Sequence, residues 1–189
     1  MTVGLYFGSF NPVHHGHLII ASYMVNNTAL DQVWFIVSPQ NPFKTSQSLL
    51  NEYQRLHLVK LAIEGETDLR ASDIEFYLPK PSYTIDTITY LEERYPHHQF
   101  SIIMGSDSFQ NLPRWKNSEV LISRYPILVY KRAGFDVAEI PGARLTVVDA
   151  PLLQISATRI RELIRQKKSI RYLVPDIVKE EIEKNNYYL

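Results

Sequence analysis

The sequence predicts an α/β protein built on a doubly wound, mostly parallel sheet with helices on both faces. Three observations carry this expectation. Short apolar runs alternate with helix-patterned segments along almost the whole chain. The run at 33–38 is continuously apolar up to its closing serine rather than alternating, as parallel strands covered on both faces are. A turn bearing Gly and Pro follows the first apolar run and leads directly into a helical pattern.

Residues 3–7 read as the first strand and 18–24 as the helix that follows. The second strand, 33–38, gives way to a loop over 39–48 rich in Pro, Asn and Ser. A helical pattern occupies 51–63, with Leu56, Val59, Leu61 and Ile63 among its apolar positions. Residues 71–78 read as a strand, closed by the loop that Pro79 and Pro81 enforce. Helical spacing returns over 83–94 through Ile85, Ile88 and Leu91, with Thr84 or Asp86 near its start. Strands follow at 100–104, ending at Gly105, and at 127–130 and 145–148. Two closing helices are expected at 156–166 and 176–185, with Pro175 at a helix start, where its missing donor is harmless. The pattern is Rossmann-like. No repeat, low-complexity segment or linker divides the 189 residues, so a single domain over 1–189 is expected.

Composition narrows the function classes. Twenty basic and twenty acidic residues give zero formal charge, which offers no support for a nucleic-acid or anionic-membrane partner. The absence of cysteine excludes disulfides, zinc-thiolate sites and a cysteine nucleophile. No basic segment precedes an apolar stretch at the N-terminus, so no signal peptide is expected, and no run approaches the roughly 20 apolar residues that span a bilayer. A soluble, cytoplasmic protein is the expectation. A homo-oligomer is left open, because sequence does not locate exposed apolar patches.

The chemistry concentrates where right-handed crossovers gather the strand-to-helix loops along one sheet edge. Residues 8–17 read Gly-Ser-Phe-Asn-Pro-Val-His-His-Gly-His, directly after a strand and into a helix. Amides at a helix start lack intrahelical partners, and the helix dipole favours an anion there. Gly8 and Gly16 allow close backbone approach, and His14 and His17 supply donors for phosphate oxygens. Two histidines three apart also share a helix face as zinc ligands do. A zinc site needs a further ligand, however, and no neighbouring Glu completes an H-E-x-x-H pattern.

A second constellation stands at 155–161, Ile-Ser-Ala-Thr-Arg-Ile-Arg. Ser156 suits an N-cap, Thr158 falls in the first turn, and Arg161 can reach the same anion. Taken alone, this segment also describes a capped amphipathic helix whose basic face continues through Arg165, Lys167 and Lys168. Trp115 offers a planar face to an aromatic ligand and serves equally as interior packing. Asp107 suits a helix cap after Gly105, and Lys44, between a Pro turn and a polar loop, reads also as a surface lysine.

These two segments resemble the signatures of the nucleotidylyltransferase superfamily: H-x-G-H as His14-His15-Gly16-His17, and I-S-S-T-x-x-R as residues 155–161. Further segments resemble the bacterial nicotinate-nucleotide adenylyltransferase branch. They are Ser-Pro-Gln-Asn-Pro-Phe-Lys at 38–44, Ser-Tyr-Thr-Ile-Asp-Thr at 82–87, and Met-Gly-Ser-Asp at 104–107 followed by Leu112, Trp115 and Lys116. The closing Leu-Val-Pro-Asp-Ile-Val at 173–178 is similar too, so the resemblance covers essentially the whole chain. Phe7 stands where the family often has Gly, and Ala157 replaces the second Ser of the later motif. Neither departure removes a side chain expected on phosphate.

The resemblance implies transfer of AMP from ATP to nicotinate mononucleotide in NAD biosynthesis, giving deamido-NAD and pyrophosphate by direct in-line attack on the α-phosphorus. It implies Mg²⁺ bound with ATP rather than in a metal site of the protein. His14, His17, Lys44 and Arg161 would act at the reacting phosphates. Gly8, Ser9, Phe10, Gly16, Gly105, Asp107, Ser156 and Thr158 would bind ATP. Asn11, Lys44, Thr84 and Trp115 would bind nicotinate mononucleotide, beneath a 39–48 loop expected to order over substrate. Nearby alternatives are nicotinamide mononucleotide or phosphopantetheine as acceptor, and a nucleotide-binding regulator without turnover. A dinucleotide-using oxidoreductase is disfavoured, because no G-x-G-x-x-G follows the first strand.

Overall fold

In the computed structural model, which describes residues 1–40, 49–151 and 153–189, the first apolar run forms β1 (Thr2–Gly8). Its side chains divide by strand alternation, Val3 and Leu5 to one face and Tyr6 to the other. β1 pairs with β2 (Gln32–Val37) on one side and with β4 (Gln99–Gly105) on the other. β3 (Leu69–Ser72), β5 (Ile127–Tyr130) and β6 (Leu145–Val148) complete a six-stranded sheet of order β3-β2-β1-β4-β5-β6. Every pairing between these strands is parallel.

Helices cover both faces. On the Tyr6 face, α1 (His15–Asn27), α2 (Glu52–Ala62), α6 (Ala157–Arg165) and α7 (Asp176–Lys184) bury Met24, Val59, Ile160 and Val178 against Val33, Phe35 and Val37 of β2. On the other face, α3 (Thr84–Arg94), α4 (Ser106–Phe109) and α5 (Ser118–Arg124) bury Ile88, Phe109 and Leu121 against Trp34 and Ile36. A strand buried on both faces has no polar side to show, which is why these strands read as unbroken apolar runs. The Rossmann-like, doubly wound class expected from the sequence is the one observed. No helix among the described residues is long and apolar enough to cross a membrane.

One strand differs from its reading. β3 stops at Ser72, and Ile74–Tyr77 forms a 3₁₀ turn instead of extending the strand to 78. Among the described residues, β3 is an edge strand paired with β2 alone, so local bonds compete with the ladder. The Ile74 amide donates to Ser72 Oγ (3.4 Å) and the Phe76 amide to the Asp73 carbonyl (2.8 Å), which turns Ile74 and Glu75 inward. Tyr83, read as the first helical residue, is the N-cap of α3, and Ser156 is the N-cap expected of it. Between Gly105 and Ile127, where the sequence marks only a helix after Gly105, the chain makes α4, capped by Gly105 rather than Asp107, a 3₁₀ turn at Leu112–Arg114 and α5.

Strand order reverses beside β1, since the chain runs outward to β3 and then returns to β4 on the opposite side. That reversal opens a crevice beyond the carboxyl ends of β1 and β4. The loops bordering it are braced from below by Arg55, a fully buried residue in the first turn of α2. Its Nε donates to the Leu50 carbonyl (2.8 Å), Nη1 to those of Ser9 (2.6 Å) and Ser38 (2.8 Å), and Nη2 to that of Pro39 (3.0 Å). Four backbone carbonyls, rather than a carboxylate, take up its donors. Arg55→Met keeps the apolar stem and removes the guanidinium, and should lower unfolding free energy by about 3 kcal/mol, the scale for stripping charged partners from buried groups. Urea unfolding followed by circular dichroism measures this; a loss below about 1 kcal/mol would mean that water replaces the guanidinium at little cost.

Candidate active site

The loop from β1 to α1 enters the crevice with a buried aromatic as its anchor. Phe10 has φ 45°, the left-handed region, and its ring packs edge-on against Tyr6, His17 and Phe35 at centroid distances of 5.7, 5.0 and 5.3 Å. At 2% exposure Phe10 belongs to the core, and it lines neither of the two cavities described below. Gly8 is required by the same ring, because a Cβ there would stand 2.9 Å from Phe10 Cζ. Asn11 is buried too: its Oδ1 accepts from the Leu50 amide (3.2 Å) and its carbonyl from Arg161 Nη1 (2.7 Å).

His14 is the N-cap of α1, and its backbone N–H donates to Nδ1 of His17 at 3.3 Å. Acceptance at Nδ1 assigns the proton of a neutral His17 to Nε2, making that atom a donor. The two imidazoles stack with centroids 3.7 Å apart and planes 21° apart. Gly16 permits this, since a Cβ there would lie 3.0 Å from His14 Nδ1. Burial lowers the His14 pKa to about 4, with the charge of Arg132 and then His15 acting in the same direction. His14 is therefore neutral near pH 7.

The second motif meets the first. Ser156 Oγ caps α6 by accepting from the Arg159 amide (3.2 Å). Arg161 reaches from α6 to the Asn11 carbonyl, and its Nη2 donates to Thr158 Oγ1 at 3.3 Å. His14, Gly16, His17 and Ser156 thus line one cleft of about 500 Å³, whose far wall includes Tyr130, Lys131 and Arg132 from the end of β5. Gly105 N-caps α4, and Asp107 pairs with Arg132 (Nη1–Oδ2 3.3 Å). Arg132 is also held by its own amide, which donates to Ser106 Oγ at 2.8 Å. Neither Lys131 nor Arg132 was singled out by the sequence motifs. Their signal was position, two cations directly after an apolar run that ends at the ligand edge of a parallel sheet.

On the α3 side of the sheet, Thr84 and Trp115 line a smaller cavity of about 110 Å³, together with Gly8, Glu75, Tyr83 and Lys116. Ser9 is half-buried between the two cavities in sequence, its carbonyl taken by Arg55. Lys44 and most of the 39–48 loop lie outside the described residues. Among the described residues, no group of three or more His, Cys, Asp or Glu is placed to hold a metal ion.

The depressed His14 pKa has a defined sign for stability. Between its folded value of about 4 and its ordinary 6.5, the unfolded chain binds the proton and the folded chain does not. Stability therefore falls as pH is lowered through that window, by up to about 3 kcal/mol at pH 4 from this group. Melting temperatures of the protein and of His14→Asn, compared from pH 4.5 to 7, should show a shallower acid loss in the variant. Parallel pH profiles would exclude His14 as the titrating group.

A family model described as cytidylyltransferase-like matches residues 5–163. A probable nicotinate-nucleotide adenylyltransferase of Cytophaga hutchinsonii is 52% identical, over 100% of this chain and 98% of the relative. Its namesake in Flavobacterium psychrophilum is 47% identical, over 100% of this chain and 99% of the relative. Among solved structures, the Plasmodium falciparum nicotinic acid mononucleotide adenylyltransferase complexed with NaAD superposes with a TM-score of 0.84 at 19% identity, covering 99% of this chain and 97% of that one. At that identity the superposition speaks for the fold, while the full-length sequence matches speak for the lineage. By the family model and these full-length matches, the chain belongs to the nicotinate-nucleotide adenylyltransferase family of the cytidylyltransferase-like proteins.

Proposed function

We propose that the protein, acting as one domain over 1–189, transfers AMP from ATP to nicotinate mononucleotide and releases pyrophosphate, a step of NAD biosynthesis in the cytoplasm. The observation that carries this reading is the pair of cavities flanking the loop between β1 and α1. The larger, lined by His14, His17, Arg132 and the start of α6, suits a triphosphate. The smaller, lined by Trp115 and Thr84, suits a flat aromatic ring. Relatives 52% and 47% identical carry the corresponding name over their full lengths.

In this reading an oxygen of the acceptor 5′-phosphate attacks the ATP α-phosphorus. A new P–O bond forms as the bond from the α-phosphorus to the α,β-bridging oxygen breaks, and the electron pair leaves with pyrophosphate. Nε2–H of His17 donates to the α-phosphate region, and His14 holds His17 in that orientation. Arg161, Thr158 and the start of α6 meet the departing phosphates, with Lys44 assigned to the same charge. Gly105 and Asp107 border the adenosine, and Trp115 stacks on the pyridine ring above Thr84. The chain's work is positioning and stabilisation of developing charge. Mg²⁺, arriving on the triphosphate with most of its waters, would neutralise charge on the leaving group.

The test is pyrophosphate release with ATP and Mg²⁺, comparing nicotinate mononucleotide, nicotinamide mononucleotide and phosphopantetheine as acceptors, with chromatography of the dinucleotide. Formation of deamido-NAD is expected; no release with any acceptor, despite measurable ATP binding, would make the protein a regulator. His17→Ala should lower kcat on the order of 10²- to 10³-fold, the scale for losing one aligned donor, with little change in melting temperature. A loss of stability that accounts for the loss of activity would count against the assigned role.

A further inference from the structure

The smaller cavity carries two charged side chains among its described lining residues, Glu75 and Lys116. Glu75 is 2% exposed, and its carboxylate accepts from the hydroxyls of Ser82 (2.7 Å) and Thr87 (2.8 Å). It is thus a buried acid held by neutral donors at the wall of a ligand cavity. Burial pushes its pKa up, opposed by these hydroxyl bonds. Lys116 stands at the rim. Its Nζ lies 3.0 and 2.8 Å from the two carboxylate oxygens of Asp86, and 4.9 Å from the centroid of the Tyr83 ring.

We propose that Lys116 determines acceptor specificity, its ammonium selecting a pyridine nucleotide with an anionic ring carboxylate over one with a neutral amide. The inference rests on the reading of the chain as a pyridine-nucleotide adenylyltransferase and deepens it. A carboxylate and an amide are nearly the same size, so shape alone separates them poorly, and a full negative charge is what distinguishes them. Trp115 and Thr84 border the same cavity as Lys116, so a ring seated there brings its substituent near both charges. Beside an ionised Glu75, a second carboxylate meets like-charge repulsion that an amide does not. Lys116 supplies the opposing charge. Its ammonium has three donors, and the two oxygens of Asp86 leave one for the substrate.

The Lys116–Asp86 pair also ties the turn after Trp115 to the first turn of α3, so a merely structural role must be separated from a charge role. Both side chains are 44% exposed, and an ion pair so exposed adds little to stability. Variants here should fold. The experiment compares kcat/KM for nicotinate and nicotinamide mononucleotides, at saturating ATP and Mg²⁺, in the parent protein, K116M, K116R and D86N. K116M should lower the preference for nicotinate mononucleotide about fivefold or more through a raised KM for that nucleotide, with KM for ATP unmoved. K116R should restore most of the preference. D86N removes the competing carboxylate and keeps the ammonium, so it should hold or raise the preference. The parent's preference should also fall with added salt, and that of K116M should not.

An unchanged preference in K116M, or a D86N variant that behaves as K116M does, would overturn the assignment and leave Lys116 a structural tether. Failure of the parent protein to release pyrophosphate with either nucleotide would overturn the functional reading itself. The two failures are told apart by the parent protein alone.

Discussion

The architecture of the site depends on one buried guanidinium. A doubly wound sheet opens its crevice where strand order reverses, and the loops there leave the ladder with carbonyls that no strand satisfies. Water could solvate them, but water in that position competes with ligand. Arg55 instead collects the carbonyls of Ser9, Ser38, Pro39 and Leu50 from the α2 side. The network then continues: the Leu50 amide donates to Asn11, and the Asn11 carbonyl accepts from Arg161. One run of bonds therefore joins the ends of β1 and β2 to α6, although Asn11 and Arg161 lie 150 residues apart. The two motifs meet through this network, in which Arg161 of the later one bonds the Asn11 carbonyl of the earlier.

The electrostatics divide along the same lines. With His14 held neutral by burial, Arg132 and Lys131 bring guanidinium and ammonium charge to the larger cleft. Arginine does not titrate near neutrality, so the guanidinium part of the field offered to a triphosphate is insensitive to pH there. The histidines contribute geometry: His14 stacks on His17 and donates to its Nδ1, which aims the remaining donor. Arg132 is restrained in turn by Asp107 and Ser106, so its charge is placed before any ligand arrives. A preplaced charge needs no reorganisation when the transition state forms.

Much of this was legible in the sequence, and the exceptions share a cause. The central strands could be read because burial on both faces writes itself as an unbroken apolar run, and residues 127–130 and 145–148 are strands at the bounds expected. The strand expected at 71–78 failed where an edge position let Ser72 and Asp73 capture the backbone. The motifs at 8–17 and 155–161 were visible, and crossover handedness already placed them along one sheet edge, but the Asn11–Arg161 bond that joins them spans 150 residues and leaves no local pattern. Arg55 gave no signal: within Glu-Tyr-Gln-Arg it reads as the polar face of a helix, and its burial is a tertiary fact. Phe10 shows the reverse case, in which a residue inside a glycine- and histidine-bearing loop is buried in the core.

The same geometry explains why the reaction can proceed without a general base from the protein. Among the described residues, four candidate bases near the crevice are engaged or weak. Glu75 accepts from Ser82 and Thr87, Asp107 is paired with Arg132, and Nδ1 of His17 accepts from the His14 backbone. A His14 with a pKa of about 4 is a poor proton acceptor near neutrality. Such a site would fail a hydroxyl nucleophile, which must lose a proton as it attacks. A phosphate monoester, with its second pKa about 6, has lost that proton before it binds. The arrangement of donors without a base therefore selects the nucleophile as well as holding it: the acceptor must arrive already ionised, and a nucleotide 5′-phosphate does.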